Sequence, residues 1–506
     1  MIKTKKKLFL SFIFIIFIST VCIFSQDNFD NNNSNNNIED INLDLENIDI
    51  NLDEIKNLND QISIQTKANP NILVNLIDVV ANIQTPLWSN TKPPKGRDAL
   101  YLIPVKLTAI EYGGILLNLF FNNTNKMDFS IDEALKLTDN QAAIDALEKV
   151  ISDLMQENMT SGEVSSVIPL FKKISIQERK AGALLQAGFI TGPFTFQLNT
   201  SFQVAERNFW LSFKDQEQLA NMFQGDGTTF NIDEAYILKY GMGDTRLKAG
   251  LNTLNMSSFK LDLGLEGILP TSLISNVPHL KGYNINLENF ENTFPDVLRS
   301  VRDNLLYPRL GNGGHFGLGC YTEGKLDLFH SLIQVWLRAS FDNLFAAKED
   351  RLIASKQTLT TPIAITDLLD EKTMTKFLKE FVFPPAYKVT VKPGGIFSFI
   401  LAPTVNISKH WNIGFGYDYY SQQQEYFESV TDTTAKDDDP DIQASSLRIE
   451  DAEQPFSSQH KIFLEANYIK KYKKTDFNFG FGGDYTIASH NMGQDWTLFL
   501  RFGTSF

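Results

Sequence analysis

The chain has 506 residues, enough for several soluble domains or for one large barrel. Its formal net charge is −14, which disfavours nucleic acid as a partner because nucleic-acid binding relies on basic patches. The two cysteines are Cys22, in the N-terminal apolar run, and Cys320. A processed chain would keep only Cys320, which excludes an intramolecular disulfide and a cysteine metal site. No apolar stretch after residue 24 is long enough for a transmembrane helix.

The N-terminus has the pattern of a secretory signal peptide. Four lysines precede an almost unbroken apolar run from Leu8 to Phe24. We predict a signal peptide over residues 1–25, and its loss would change the formal charge from −14 to −18. Two alternatives stay open. The run is about long enough for an uncleaved helical anchor, and a lipoprotein acylated on Cys22 is disfavoured by the large Val21 before it.

Residues 26–98 are predicted to lack a core of their own. The segment is rich in asparagine and acidic residues, as in the run from Asn31 to Asn37, and this composition predicts disorder. Within it, apolar residues recur at helical spacing over residues 71–83, which predicts a short amphipathic helix. That helix would pack on the rim of a barrel or form a plug inside it. The sequence Pro93–Gly96 is typical of a linker.

From residue 99 to residue 506, segments with a period of two recur. In the clearest one, residues 194–204, large apolar residues and a threonine alternate with Thr, Gln, Asn and Ser. This period predicts β-strands with one apolar and one polar face. The apolar faces extend over about five or six alternate positions, the length that a tilted strand needs to cross a membrane. Similar segments begin near residues 101, 115, 183, 247, 259, 333, 411, 462 and 477.

The last such segment, Trp496 to Phe506, ends the chain on an aromatic residue. The signal peptide, the alternating segments and the terminal Phe506 together resemble Gram-negative outer-membrane β-barrels, from about residue 100 onward. The resemblance implies an all-β, transmembrane antiparallel β-barrel located in the outer membrane, and the count of alternating segments predicts about 12–16 strands, with about fourteen favoured. It also implies that the barrel-assembly machinery reads Phe506 and that outer-membrane lipid surrounds the chain. A soluble all-β surface protein is the alternative.

Long insertions separate some of the alternating segments. Helical periodicity predicts helical loop insertions near residues 131–158, 287–306 and 365–381, which would cap the barrel outside the cell or fold into the pore. The acidic loop 425–454 contains the run Asp437–Asp441. Because this run lacks the spaced glycine and distal glutamate of a calcium loop, we interpret it as a solvated loop.

No cofactor, metal site or catalytic constellation is predicted. The six histidines never fall at the H-x-x-x-H spacing of a helical zinc site. Ser457, Ser458 and His460 are the only crowded nucleophile and base candidates, and their spacing is unspecific. We therefore expect that the protein is not an enzyme.

The polar strand faces mix basic and acidic residues, which favours a wet lumen. This predicts a porin-like channel for diffusion or uptake of small solutes, with modest ion selectivity. A barrel for hydrophobic solutes, similar to fatty-acid transport barrels and plugged by residues 72–83, is one alternative. A structural or adhesive surface barrel with a filled lumen is another. Many porins are trimers, so the resemblance permits an oligomer. The candidate lumen-lining residues are Lys248, Lys260, Asp262, Glu266, Arg338, Asp418, Glu465 and Arg501.

Overall fold

The computed structural model describes residues 113–126, 176–209, 236–272, 306–353, 386–433, 447 and 449–505, which are mostly β-strand. Among them, no helix is long and apolar enough to cross a membrane. One short helix, α1, spans Ile449–Ala452. The strands are β1 (Gly114–Lys126), β2 (Ile176–Thr191), β3 (Phe194–Phe209), β4 (Tyr236–Met242), β5 (Thr245–Asn255), β6 (Phe259–Leu269), β7 (Gly317–Leu328), β8 (Ile333–Leu344), β9 (Ala347–Leu352), β10 (Ala386–Lys392), β11 (Ile396–Asn406), β12 (Trp411–Gln422), β13 (Tyr426–Thr433), β14 (Ser457–Tyr472), β15 (Thr475–His490) and β16 (Gln494–Ser505).

Twelve of these strands close into an antiparallel barrel. Around the ring they follow the order β1, β16, β15, β14, β12, β11, β8, β7, β6, β5, β3 and β2, and the pairing of β2 with both β1 and β3 completes the circle. A closed ring leaves no unpaired strand edge, as a hydrocarbon environment requires. The predicted all-β antiparallel barrel is confirmed at the lower end of the expected range, but the favoured number of fourteen strands is wrong.

The remaining strands extend the wall without widening the ring. β5 pairs with the first half of β3 and β4 with the second half, so both occupy one position in the ring. β9, β10 and β13 form a separate sheet in the order β13-β10-β9, which we call the rim sheet. Only two or three residues separate β8 from β9, β10 from β11 and β12 from β13. The four remaining strands therefore add length to the wall beyond the ring and do not add positions to it.

Side chains alternate between the two faces of the wall. In β16, Leu498 and Leu500 are exposed on the outward face, while Thr497 and Arg501 are buried on the inward face. The same alternation recurs in β1, β3, β5 and β14. Exposed apolar faces of this extent mark contact with a membrane or with another protein, and on a closed barrel they are typical of the lipid-facing band.

Aromatic rings lie near both ends of the outward face. Toward one end the ring centroids of Trp411 and Tyr468 are 5.2 Å apart, and toward the other end those of Tyr419 and His460 are 4.8 Å apart. Trp411 and Tyr419 share β12 at positions eight residues apart, about 27 Å along the strand and about 20 Å in height at the usual barrel tilt. This spacing approaches that of the aromatic girdles that flank the apolar band of outer-membrane barrels.

Five short turns, β2–β3, β5–β6, β7–β8, β11–β12 and β14–β15, lie at one end of the barrel. Gly192 begins the β2–β3 turn with a φ of 58°, a conformation that glycine adopts without strain. Gly114 pairs with Ser505, so the barrel begins and ends at this same end. Most of the long connections lie at the opposite end. Outer-membrane barrels have short periplasmic turns and long external loops, which predicts the orientation of this one.

Several predictions fall on residues outside the described ranges, and they stay predictions. They are the signal peptide 1–25, the segment 26–98 with its helix, the alternating segment near residue 101, the acidic run 437–441 and the terminal Phe506, together with almost all of the helical insertions 131–158, 287–306 and 365–381.

Candidate functional site

The inward face of the barrel carries buried charged side chains. By their alternation along the strands, all eight candidate residues lie on this face. Lys248, Glu266, Asp418, Glu465 and Arg501 are buried, the Arg338 side chain is 14% exposed, and Lys260 and Asp262 are half-buried. Their role in lining a solute path stays a prediction.

Glu266 of β6 is the centre of a first ionic network. Its carboxylate oxygens lie 2.9 Å from Arg246 Nη1, 3.0 Å from Arg338 Nη2 and 3.6 Å from Lys248 Nζ. Arg246 Nη1 also lies 3.1 Å from Asp342 Oδ2. Three basic and two acidic side chains are thus paired at positions where an unpaired charge would be strongly destabilising.

Arg501 of β16 and Glu465 of β14 form a second network across β15. Arg501 Nη1 donates to Glu465 Oε2 at 2.9 Å, and its Nε donates to Asn118 Oδ1 at 3.0 Å. In the strand between them, Gly480 pairs with Arg501 and Gly482 pairs with Glu465. Since neither glycine has a side chain, the arginine and the glutamate can meet over the backbone of β15.

A third network surrounds Lys461 of β14. Its Nζ lies 2.9 Å from Asp484 Oδ1 and 3.2 Å from Asp495 Oδ1. Asp495 Oδ1 also accepts hydrogen bonds from Thr486 Oγ1 at 2.6 Å and Gln459 Nε2 at 2.8 Å. The lysine thus lies between two carboxylates, each of which also has a neutral hydrogen-bond donor.

The candidate set was incomplete. Arg246 and Lys461 belong to strands already predicted, on the same face as chosen residues, so the alternation could have identified them. Asp342 lies four residues beyond Arg338 on the same face of β8. Asp484 and Asp495 lie just outside the segments whose alternation is clearest, and no sequence signal marks them.

Apolar side chains share the inward face with these charges. One cluster draws on β1, β2, β8, β11, β14 and β16, which together span half of the ring, and each member is at most 5% exposed. A second cluster lies at the long-loop end. The interior is therefore lined by packed side chains of both kinds. The first cluster comprises Leu116, Phe120, Leu184, Trp336, Ala402, Phe463 and Phe499, and the second comprises Ile268, Leu344, Ile396, Tyr420 and Met492.

Two rings of the first cluster lie directly over glycines of neighbouring strands. A Cβ added at Gly482 would be 2.5 Å from Phe499 Cζ, and one added at Gly416 would clash with Phe463. These glycines allow the rings to approach the inner wall closely, so aromatic side chains occupy positions that the alternation alone would assign to small or polar groups.

An ionic cluster ties the rim sheet to the barrel mouth. Arg351 of β9 lies 3.0 Å from Glu349 and 2.8 Å from Glu425. His315, in the β6–β7 connection, lies 2.7 Å from Glu349, and the Gln454 backbone N–H donates to Glu425 at 2.9 Å. Burial disfavours the charge on Arg351, but Glu425 and Glu349 outweigh it and hold the pKa of the guanidinium above its ordinary value. Four separate segments of the chain thus meet at this charge cluster.

The predicted catalytic candidates do not come together as a site. His460 Nδ1 lies 2.5 Å from Tyr417 Oη, and its ring packs on Tyr419, on the outward face. Across the described ranges, no group of three or more His, Cys, Asp or Glu side chains could hold a metal ion. That the protein is not an enzyme stays a prediction.

No family model matches the chain. No curated protein matches it either. Among solved structures, it is similar to the COG4313 outer membrane channel from Pseudomonas putida F1, with 8% identity, a TM-score of 0.39, and coverage of 80% of this chain and 99% of that chain. It is also similar to the toluene transporter TodX of Pseudomonas putida, with 10% identity, a TM-score of 0.32, and coverage of 83% and 96%.

A third similar structure is the transport unit of the autotransporter AIDA-I from Escherichia coli, with 5% identity, a TM-score of 0.31, and coverage of 81% of this chain and 94% of that chain. The strand pairing itself defines the architecture. The resemblance to outer-membrane β-barrels is confirmed as one of architecture.

Proposed function

We propose that this protein is an outer-membrane channel for small solutes, which pass along the inward face of the barrel. The observation that carries the proposal is the charged interior: three ionic networks, centred on Glu266, Lys461 and Arg501, lie inside a closed ring. Apolar residues of similar volume would fill a purely structural barrel at least as stably, since buried ion pairs seldom repay their desolvation. In a channel, by contrast, polar groups on the wall interact with the hydrated solutes that pass.

The outward face supports the location. Its exposed apolar side chains and two sets of aromatic rings suit a bilayer, and each of the twelve strands of the ring pairs with a neighbour on both sides. The short-turn end would face the periplasm. Recovery of the full-length protein in the outer-membrane fraction, with a gel mobility that changes on heating, tests this location.

The proposed channel is narrow and intermittently open. The paired charges are buried, and the apolar cluster around Phe120 and Phe499 spans half of the ring. Apolar constrictions gate conduction by dewetting, so we expect small, brief conductance steps. Because both signs of charge line the wall, selectivity between cations and anions should be weak.

Planar-bilayer recording of the refolded full-length protein tests this function. Phe120→Ala removes a ring from the inward cluster, whereas Leu119→Ala removes an outward side chain of the same strand. We expect small steps from the natural protein, larger or longer steps from Phe120→Ala, and natural behaviour from Leu119→Ala. Silence of both the natural protein and Phe120→Ala would contradict the proposal.

A structural or adhesive barrel is the second candidate, and the burial of the inward side chains favours it. It predicts silent bilayers and a function carried by the external loops. Deleting residues 434–446, which leaves β13 intact, should then abolish attachment of cells to a host surface. Under the channel proposal, the same deletion leaves solute passage in place.

A further inference from the structure

A cavity of about 650 Å³ opens on the outward face of the barrel wall, toward the short-turn end. It crosses five strands, β1, β2, β3, β5 and β6. We call it the lateral groove. It lies outside the interior that the proposed channel uses.

Small side chains create the floor of the lateral groove. Ala187, Ala249 and Gly267 are outward positions in three of the five strands that it crosses. A Cβ added at Gly267 would meet no other atom nearer than 4.0 Å, so there is open space above this position. Phe189 and Phe196 stack with ring centroids 5.2 Å apart and form one side. The lateral groove therefore results from small outward residues and from the register that places them side by side.

The side chains that face the lateral groove are apolar. Phe189 is 57% exposed and Ile115 is 49% exposed, so both remain available for contact. Lys248 also borders the cavity, but it belongs to the inward face and lies 3.6 Å from Glu266. With its charge paired inside the barrel, Lys248 gives the groove no headgroup site. What the groove can recognise is hydrocarbon.

We propose that the lateral groove binds one acyl chain of a membrane phospholipid. The proposal rests on the proposed membrane location, and it does not depend on solute passage. The groove is continuous with the apolar face that would contact the bilayer, where hydrocarbon is the medium. Its volume falls in the usual range of small-molecule sites, about 300–1,000 Å³. A flexible chain can follow the floor, whereas a second copy of the barrel would need a matching ridge.

Native mass spectrometry of the full-length protein in mild detergent, with added dioleoylphosphatidylethanolamine, tests the proposal. Ala187→Phe and Ala249→Phe each fill the groove, and Ala466→Phe places the same ring at an outward position of β14, away from it. At a fixed lipid concentration well below saturation, we expect the lipid-bound fraction to fall about tenfold in the groove variants, equivalent to about 1.4 kcal/mol, and to stay unchanged in Ala466→Phe.

Two results would overturn the proposal. One is an equal lipid-bound fraction in the natural protein and all three variants. The other is a dimer of the natural protein that Ala187→Phe abolishes, which would assign the groove to a second copy. Heat-dependent gel mobility identifies folded samples. If Ala187→Phe does not fold, Ala249→Phe is compared with the natural protein in its place. Failure of the proposed location would instead appear as absence of the natural protein from the outer-membrane fraction.

Discussion

Arg501 and Glu465 form an ion pair of 2.9 Å over the backbone of the strand that separates them. Both residues are 1% exposed, so each charge depends on the other for compensation. We expect Arg501→Met to lower the free energy of unfolding by about 3–5 kcal/mol, because it leaves the glutamate charge buried and unpaired. Urea unfolding followed by tryptophan fluorescence measures this change.

The double variant Arg501→Met/Glu465→Leu is the matched control for this pair. Since it removes both charges, we expect it to recover most of the stability lost in Arg501→Met. A double variant no more stable than Arg501→Met would show that the pair does not act as a unit.

Gly482 is required by the ring that lies over it. A Cβ at this position would be 2.5 Å from Phe499 Cζ and 2.6 Å from the Leu464 carbonyl oxygen. We expect Gly482→Ala to destabilise the barrel by about 1–3 kcal/mol through overpacking. Gly267→Ala is the control, because open space surrounds a Cβ there. Equal urea midpoints for the two variants would contradict this account.

The outward face could be predicted from the sequence, because contact with lipid requires an apolar side chain at every second position of each strand. β3 and β16 show that rule as clear alternation. β11 was missed, since Ile400 and Ala402 make its inward face apolar as well, and Pro403 interrupts the pattern. β7 was missed because Gly317, Gly319 and Gly324 weaken its pattern.

The ionic partners could not be predicted from the sequence. Arg501 binds Asn118, a residue 383 positions away, and this contact exists because β16 pairs with β1 to close the ring. Alternation identifies the face of a side chain, but only the register between strands identifies its neighbour. The members of the apolar cluster could not be predicted for the same reason. Phe120 and Phe463 belong to one cluster only because strand pairing closes the barrel.

Arg351 holds the rim sheet through two carboxylates, at 3.0 Å from Glu349 and 2.8 Å from Glu425. Arg351→Met removes a cation that lies within 3.0 Å of both buried acidic groups. We expect the opening free energy of the β10 amides to fall by at least about 2 kcal/mol, with little change in the barrel strands. Hydrogen exchange read by mass spectrometry measures both regions. Lys348→Met, at an exposed position of β9, should leave exchange unchanged. Uniform loss of protection in the barrel would contradict a local role.

Glu453, in the connection to β14, contacts the edge strand of the rim sheet, and we expect it to make that edge sensitive to pH. It accepts hydrogen bonds from the Phe427 backbone N–H at 2.8 Å and from Gln424 Nε2 at 3.4 Å. Burial raises the pKa of Glu453 above its ordinary value, the two hydrogen bonds oppose the shift, and the nearby charges of Glu425 and Glu450 add to it. The native state therefore holds this proton more tightly than the unfolded chain does.

The sign of the pH effect follows from this proton. The stability that protonated Glu453 gives the native state is fully present below the ordinary carboxyl pKa, about 4.3. It is lost as pH rises through the raised pKa that Glu453 has in the native state. We expect β13 amides to lose protection over that rise, and Glu453→Gln to remove this part of the dependence. Hydrogen exchange at a series of pH values, corrected for the intrinsic exchange rate, measures it. Glu428→Gln, at an exposed position of β13, is the control. If Glu453→Gln keeps the full pH dependence, the proton is held elsewhere in the rim sheet.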